Sequence, residues 1–269
     1  MGDVGDYLRP RAVANRILYS MAERNAGLDV QRTDQFFAAR IEEGTVHAVA
    51  MCTPPWKGFL GGDWGDDMSA LVSELHAFFP LLPAIMGPAE EVSSFAGHWC
   101  CLTDGHPAEG LCELWYALDA VTVPQHAAGK MILATADDVD RVAEWMEIFW
   151  VEAKLDGGMD LRGASQRAVD AGQFYFWNVG GVHVAMAGRS ERFNELVSLG
   201  PVFTHPDHRG HGYASNLVAT LSQQLLDSGV PRLGLGADRE NPVSNTMYER
   251  LGFYLVTELE EIRFIQALD

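Results

Sequence analysis

A mixed α/β fold is what this sequence predicts, and three observations carry the prediction. Short β-branched runs alternate with apolar stripes of helical period along the whole chain, and turn residues punctuate them. With 269 residues, 48% of them hydrophobic, there is enough apolar material to bury a core around such elements. The length admits one large domain or two modest ones. A net charge of −18, shared by both halves, removes general nucleic-acid binding, which needs clustered cations to displace phosphate counterions. The opening residues lack the cationic-then-apolar order of a leader, and no apolar run reaches the ~18 residues of a span. The expectation is a cytoplasmic protein without membrane contact. Cys52, Cys100, Cys101 and Cys112 include no C-x-x-C pair and read as reduced packing residues, with a Cys100-Cys101 redox pair as the alternative.

Val13, Ile17, Leu18 and Met21 recur at three- and four-residue spacing, which predicts a helix from Ala12 to Met21. Phe36, Phe37 and Ile41 repeat that period and predict a second helix over Thr33 to Ile41. Gly44 to Met51 is small, β-branched and followed by Pro54-Pro55, a strand. Met68 to Phe79 reads as a helix stopped by Pro80, Glu90 to Cys100 as another, Glu113 to Leu118 as a strand and Pro124 to Gly129 as a connection. Lys130 to Ala134 opens the second half as a strand. Asp137-Asp138 then stand at the mouth of a helix, where carboxylates suit the positive end of its dipole. Val139, Val142, Met146, Phe149, Trp150 and Ala153 give that helix about four turns of apolar stripe. Phe174 to Trp177, the turn Asn178 to Gly181 and Val182 to Ala187 form a hairpin. Trp145, Phe149, Trp150 and Phe174 to Trp177 read as core, with the lining of an acceptor pocket as the other use.

The two halves rhyme. Gly44-Thr45-Val46-His47-Ala48-Val49-Ala50-Met51 lines up with Gly180-Gly181-Val182-His183-Val184-Ala185-Met186, each after helical and turn material in the same order. A duplicated unit and a coincidence of similar hairpins both account for it. His47 and His183, in the rhyming strands, read as core or hairpin histidines.

The chemistry-bearing stretch runs from Leu199 through Val202-Phe203-Thr204 to Arg209-Gly210-His211-Gly212-Tyr213-Ala214-Ser215. Behind it Leu217, Val218, Leu221 and Leu225 lie on one helix face, and Asp227-Ser228-Gly229 supplies the stop. A strand, a glycine turn and a helix N-terminus present backbone N–H groups and the dipole to an anion such as a pyrophosphate. Glycine is required where phosphate oxygens come too close for a Cβ. His205, His208 and His211 recur every third residue, but inside that loop they read as donors near phosphate or solvated residues, and no metal is expected. Downstream, Leu233 to Ala237 is a short strand and Asn241 to Phe253 a short helix ended by Gly252.

These two segments resemble the GNAT superfamily of acyl-CoA-dependent N-acetyltransferases. Arg209-Gly210-His211-Gly212-Tyr213-Ala214 fits its R-x-x-G-x-A phosphate loop, and Asn241, Ser244, Tyr248 and Gly252-Phe253 fit its N-x-x-[AS]-x-x-x-Y-x-x-x-G-F segment. The resemblance implies a GNAT fold, a mixed central sheet with helices on both faces, in two tandem units: residues 1–125 as a degenerate domain and 126–269 as the acetyltransferase domain. In the first half Ile85-Met86-Gly87-Pro88-Ala89 takes the place of the loop, without the Arg or the second Gly, and no cofactor is expected there.

Carried over residue by residue, the resemblance implies that Val202, Phe203 and Thr204 form a splayed strand bonding the pantetheine arm of acetyl-CoA, the cosubstrate. A backbone N–H near Phe203 would stabilise the developing oxyanion. Arg209, Gly210, His211, Gly212, Tyr213, Ala214 and Ser215 would hold the pyrophosphate, and Asn241 and Asn245 would border the CoA arm. Tyr248 would be the catalytic acid toward the departing thiolate; helix packing is its plainer use. Glu152, Glu195, Asp238 and Glu240 are candidate bases, and each reads equally as a solvated carboxylate. The partner is an amine-bearing acceptor, a small molecule rather than a protein, which the acidic charge would steer inward. A CoA-binding sensor or partner-binding protein without turnover is the competing reading.

Overall fold

In a computed structural model of the chain, residues 2–25, 34–155, 160–193 and 195–265 are described. In chain order the elements are α1 Gly2–Leu8, α2 Arg16–Asn25, β1 Phe36–Glu42, β2 Thr45–Cys52, β3 Gly58–Gly62, α3 Met68–Phe78, β4 Ala84–Gly87, α4 Ala89–Thr103 and β5 His106–Leu118. They continue as β6 Lys130–Leu133, α5 Val139–Glu152, α6 Leu161–Asp170, β7 Phe174–Val179, β8 Val182–Arg189, β9 Leu196–Thr204, α7 Tyr213–Asp227, β10 Arg232–Asp238, α8 Pro242–Arg250 and β11 Tyr254–Ile265. The contacts gather into two units, Met1–Trp115 with Val256–Asp269, and Tyr116–Leu255. A cut at 125/126 follows chain order; the contacts return the last strand to the first unit.

In the first unit the neighbours run β1-β2-β3-β4-β11-β5. The stretch expected as a helix from Thr33 to Ile41 is instead β1, from Phe36, with Thr33 itself outside the described residues. Phe36, Ala38 and Arg40 are half-buried while Phe37, Ala39 and Ile41 are exposed, a period of two, and β2 supplies the ladder that a helix would have closed internally. The first expected helix also begins later, at Arg16. β4 occupies the stretch taken for a loop at Ile85 to Ala89, with Pro88 as the N-cap of α4. There a Cβ on Gly87 would stand 2.9 Å from the Leu60 carbonyl oxygen, so the β3–β4 approach requires glycine. Ala48, Ala50 and Cys52 of β2 pack with Leu60, Ile85 and the apolar stripes of α3 and α4, and Trp99 stacks on Phe95 and lies tilted against Phe264. Val49 and Met51, on the other face of β2, are buried as well, and α1 and α2 lie against β2.

Charges are also buried here. Glu261 is 3% exposed and pairs with Lys57 and Arg263. Burial holds the Glu113 carboxyl above its ordinary value, against the lowering pull of Lys57 and Arg16. A carboxyl raised in the folded state contributes stability below its unfolded value and loses it as the pH rises through the folded one. Glu113→Gln is therefore expected to melt higher than the parent at about pH 7, with the advantage shrinking toward about pH 4. Thermal melts across that window check it, and a pH-independent difference would refute it. The four cysteines are free thiols. Cys52 is buried, its thiol pushed up to about 12 by desolvation, but Cys101 is exposed, so the packing reading fails for that residue.

In the second unit the neighbours run β10-β9-β8-β7-β6. Val142, Trp145 and Met146 of α5, Val169 of α6, Phe174 and Phe176 of β7, Met186 of β8 and Phe203 of β9 form one core. Tyr175 and Trp177 of β7 and Ala185 and Ala187 of β8 alternate to the opposite face, where α7 lies. Here the order hairpin, antiparallel third strand, helix and parallel fourth strand (β7-β8-β9-α7-β10) repeats that of β1-β2-β3-α3-β4.

Candidate functional site

The site begins at an interruption in β9. The register against β8 runs Leu199↔Arg189 and then Val202↔Ala187, leaving Gly200-Pro201 as a bulge opposite Gly188. Proline has no N–H for the ladder, and a bulge bends the strand that carries it. On its other side β9 pairs with β10 only from Leu196↔Arg232 to Ser198↔Gly234, just before the bulge. Beyond that point the two strands run on unpaired. His205 N–H donates to Val184 O, so by alternation Phe203 turns its backbone groups toward β8, while Val202 and Thr204 present theirs on the open edge. The expected N–H "near Phe203" is thus that of Val202 or Thr204; Phe203 itself is 3% exposed beneath Trp145 of α5.

A short 3-10 turn, Pro206–His208, leads from the strand to Arg209-Gly210-His211-Gly212 and α7. Gly210 and Gly212 take φ of +80° and +74°. Gly212 is the N-cap of α7 with no side-chain cap, so the first-turn N–H groups of Tyr213, Ala214 and Ser215 keep no partner within the helix. Asn216, buried, ties the loop down: its Nδ2 donates to Gly212 O and to Gln125 O, both at 3.0 Å, and its Oδ1 accepts from Ala127 N–H. The sequence pattern does not single out Asn216; its only signal is an amide in the first turn of an apolar helix. His211 stacks on Tyr213 at 5.4 Å, and His205 lies by Trp145 and His208. Among the described residues no three His, Cys, Asp or Glu side chains are grouped to hold a metal ion.

Arg209 does not extend toward open solvent as an anion ligand. Its Nε donates to Thr204 O at 3.1 Å, and its Nη2 donates to both carboxylate oxygens of Glu152 at 2.8 Å. The other candidate bases are placed as follows. Asp238 accepts from Glu240 N–H at 2.8 Å, Glu240 lies 3.8 Å from Lys154, and Glu195 is exposed.

On α8, Asn241 is the N-cap, its Oδ1 accepting from Ser244 N–H at 3.1 Å. Asn245 is 8% exposed; its Nδ2 donates to Asp238 O at 3.0 Å and Arg239 O at 3.3 Å, while its buried Oδ1 has no protein partner. Tyr248 is 6% exposed between the rings of Tyr116 and Phe253, and burial holds its phenol well above the ordinary tyrosine value. It is therefore protonated throughout the neutral range, as a proton donor must be.

The corresponding position in the first unit follows β3, not β4. It is Gly62-Asp63-Trp64-Gly65-Asp66-Asp67, leading into α3. A cavity of about 790 Å³ opens there, lined among others by Asp63, Glu90 and Glu91. This loop keeps two glycines, but it carries Asp63, Asp66 and Asp67 and no arginine, and carboxylates repel phosphate.

The family model of the GNAT acetyltransferases matches residues 139–253, which contain β9, the loop, α7, β10 and α8. A Yersinia pestis acetyltransferase is 37% identical over 49 residues, 18% of this chain. The chain spans about a third (35%) of the length of the curated relatives it matches. A GCN5-related N-acetyltransferase structure from Sphaerobacter thermophilus is similar in fold over 97% of this chain and 92% of its own, with a TM-score of 0.68 at 14% identity. A tandem GNAT protein from the clavulanic acid biosynthesis pathway is similar over 92% and 88%, with a TM-score of 0.53 at 11% identity. No helix among the described residues is long and apolar enough to cross a membrane. Residues 139–253 thus carry a GNAT acetyltransferase domain by the family model.

Proposed function

We propose that the second unit transfers an acetyl group from acetyl-CoA to the primary amine of a small-molecule acceptor by direct attack in a ternary complex. The observation that carries this is the open edge of β9 beyond Ser198, leading directly into an uncapped helix N-terminus. The residues fit such a cosubstrate on independent grounds. The Oδ1 of Asn245 is a buried acceptor without a donor, an omission costing about 1–3 kcal/mol unless a ligand N–H fills it. A Cβ at Gly210 would meet nothing within 4 Å, so the cradle is open on that side.

Acetyl-CoA supplies an activated acyl group as a thioester. Val202 and Thr204 offer an extra strand's worth of hydrogen bonds to an extended amide arm. The N–H groups from Gly212 to Ser215 and the dipole of α7 take the phosphates. A β9 N–H on the open edge stabilises negative charge as it develops on the carbonyl oxygen. Starting from the neutral amine, the C–N bond forms and the C–S bond breaks; Tyr248 gives its proton to the leaving sulfur and regains one through solvent from the amine nitrogen, so amide and thiol form with the proton count closed. The first unit serves without a cofactor, its acidic loop unsuited to phosphate.

Tyr248→Phe tests the acid. Removing one positioned acid is expected to lower turnover about 10²-fold or more while acetyl-CoA affinity stays within about threefold. Steady-state kinetics on an amine panel, with a binding titration, decide it; unchanged turnover removes the role. Stability should hold, because the hydroxyl forfeits no protein hydrogen bond.

A second reading, a CoA-binding sensor or partner-binding protein without turnover, is favoured by one observation. Glu152 and Glu240 face cations, Asp238 accepts a backbone N–H and Glu195 interacts electrostatically with Arg232, so each of those four carboxylates is already engaged. One productive acceptor ends that reading.

A further inference from the structure

We infer that Glu152 is a positioning residue for the cofactor loop, acting through Arg209, and that the charge of Arg209 is spent inside the protein rather than on phosphate. The inference rests on the acetyl-CoA reading above. One guanidinium ties three elements together. Arg209 opens the glycine loop, its Nη2 is held by Glu152 at the C-terminal end of α5, and its Nε takes the carbonyl of Thr204, the last residue of β9. Its Cζ lies 5.9 Å from the centroid of the Phe203 ring, so the side chain lies back along β9.

Two consequences follow for a ligand. Thr204 O is one of the few polar groups on the open edge, and Arg209 occupies it. An extended amide arm can then pair with Val202 and with the Thr204 N–H, but not past them, and must leave the strand where the loop begins. Arg209 fixes where the ligand stops behaving as a strand. Glu152, in turn, neutralises the guanidinium and holds it in that pose, so phosphate recognition falls to the backbone N–H groups of the loop and α7. Both side chains are about half exposed, at 49% and 44%, so the pair is a weak one by energy and acts by placement. The same geometry removes Glu152 from the candidate bases, because both of its oxygens face Arg209.

The experiment is calorimetric titration of acetyl-CoA into the full chain and into Glu152→Gln, Arg209→Gln and the double variant, at low and at physiological salt. Each single variant is expected to bind about two- to fivefold more weakly, and the double variant no more weakly than the worse single, because both remove one strut. The salt dependence of Arg209→Gln should equal that of the parent, since no phosphate contact is lost. In steady-state assays the loss in Glu152→Gln should fall on KM for acetyl-CoA and leave kcat in place. Tighter binding in Glu152→Gln, with a weakened salt dependence in Arg209→Gln, would make Arg209 a phosphate ligand and overturn the inference. So would additive losses, unchanged binding in both singles, or a roughly hundredfold fall in the turnover of Glu152→Gln, which would make it the base. If the parent chain itself fails to bind acetyl-CoA, it is the underlying reading that fails.

Discussion

Gly212→Val is expected to abolish the rise in melting temperature that acetyl-CoA is expected to give the parent protein. A ligand bound only to the native state at 100 times its dissociation constant stabilises by about 2.7 kcal/mol, several degrees for a chain of this size. The variant should show none of that shift, corresponding to affinity lost by about 100-fold or more. Strain and contact are separable at this position. At φ +74° a non-glycine residue costs about 1–2 kcal/mol by itself, which lowers the melting temperature of the free protein by a few degrees. It does not clash with the fold, because the nearest atom to a Cβ there is Asn216 Nδ2 at 3.8 Å. The remaining loss must come from the space where phosphate approaches the backbone. Gly229, at the other end of the same helix, has φ +85° and nothing within 4 Å of a Cβ. Gly229→Val should therefore lose comparable stability and keep the acetyl-CoA shift. Equal loss of the shift in both variants would mean that helix strain, not the loop, was being measured.

The contrast between these glycines shows what a sequence can disclose. Arg209 to Ala214 and Asn241 to Phe253 were legible because their chemistry is local: a glycine turn and a capped helix are specified within a dozen residues, and each lies where the spacing puts it. The hairpin at Gly180-Gly181 and the stripe of α5 were legible for the same reason. Four strands were not: β11, for which the pattern after Phe253 gives no reading, and three in the first half. β3 is Gly58-Phe59-Leu60-Gly61-Gly62, a composition that disfavours strands, and it is held by pairing with β2 and β4. β4 is four residues ending at Gly87, and with Pro88 next the pair reads as a turn, which puts the expected loop of the first unit one strand too late. β1 carries Phe36, Phe37 and Ile41, whose spacing satisfies a helix and a strand alike, and only the partner strand decides. In the site, Gly200-Pro201 was visible, but that it would part β9 from β10 depends on where the pairing stops. The engagement of Arg209 by Glu152 crosses 57 residues of sequence and left no local trace.

A fragment of residues 126–269, the acetyltransferase half as chain order draws it, is expected not to fold as a soluble monomer. The reason lies in β11. Although it follows α8, it pairs antiparallel with β4, from Glu260↔Gly87 to Arg263↔Ala84, and counts with the first unit. Phe264 packs against Phe95 and Trp99, and its N–H donates to Pro83 O at 2.9 Å. Glu261, 3% exposed, has Lys57 as a partner. Cutting at 125/126 removes every one of these partners of β11. What remains is a twelve-residue strand with its β4 ladder bare, an aromatic side chain without its ring partners and a carboxylate parted from Lys57. A long bare edge of that kind pairs with other chains. Size-exclusion chromatography and dye binding should show more association and more exposed apolar surface in the fragment than in the full chain. A monomeric fragment with a cooperative melt and an undiminished acetyl-CoA shift would show that β11 contributes nothing the second unit needs. The expected failure bears on how the first unit is to be probed: by substitutions on its own surface and not by deletion, because deletion withdraws the strand partners of the chain's own C-terminal segment.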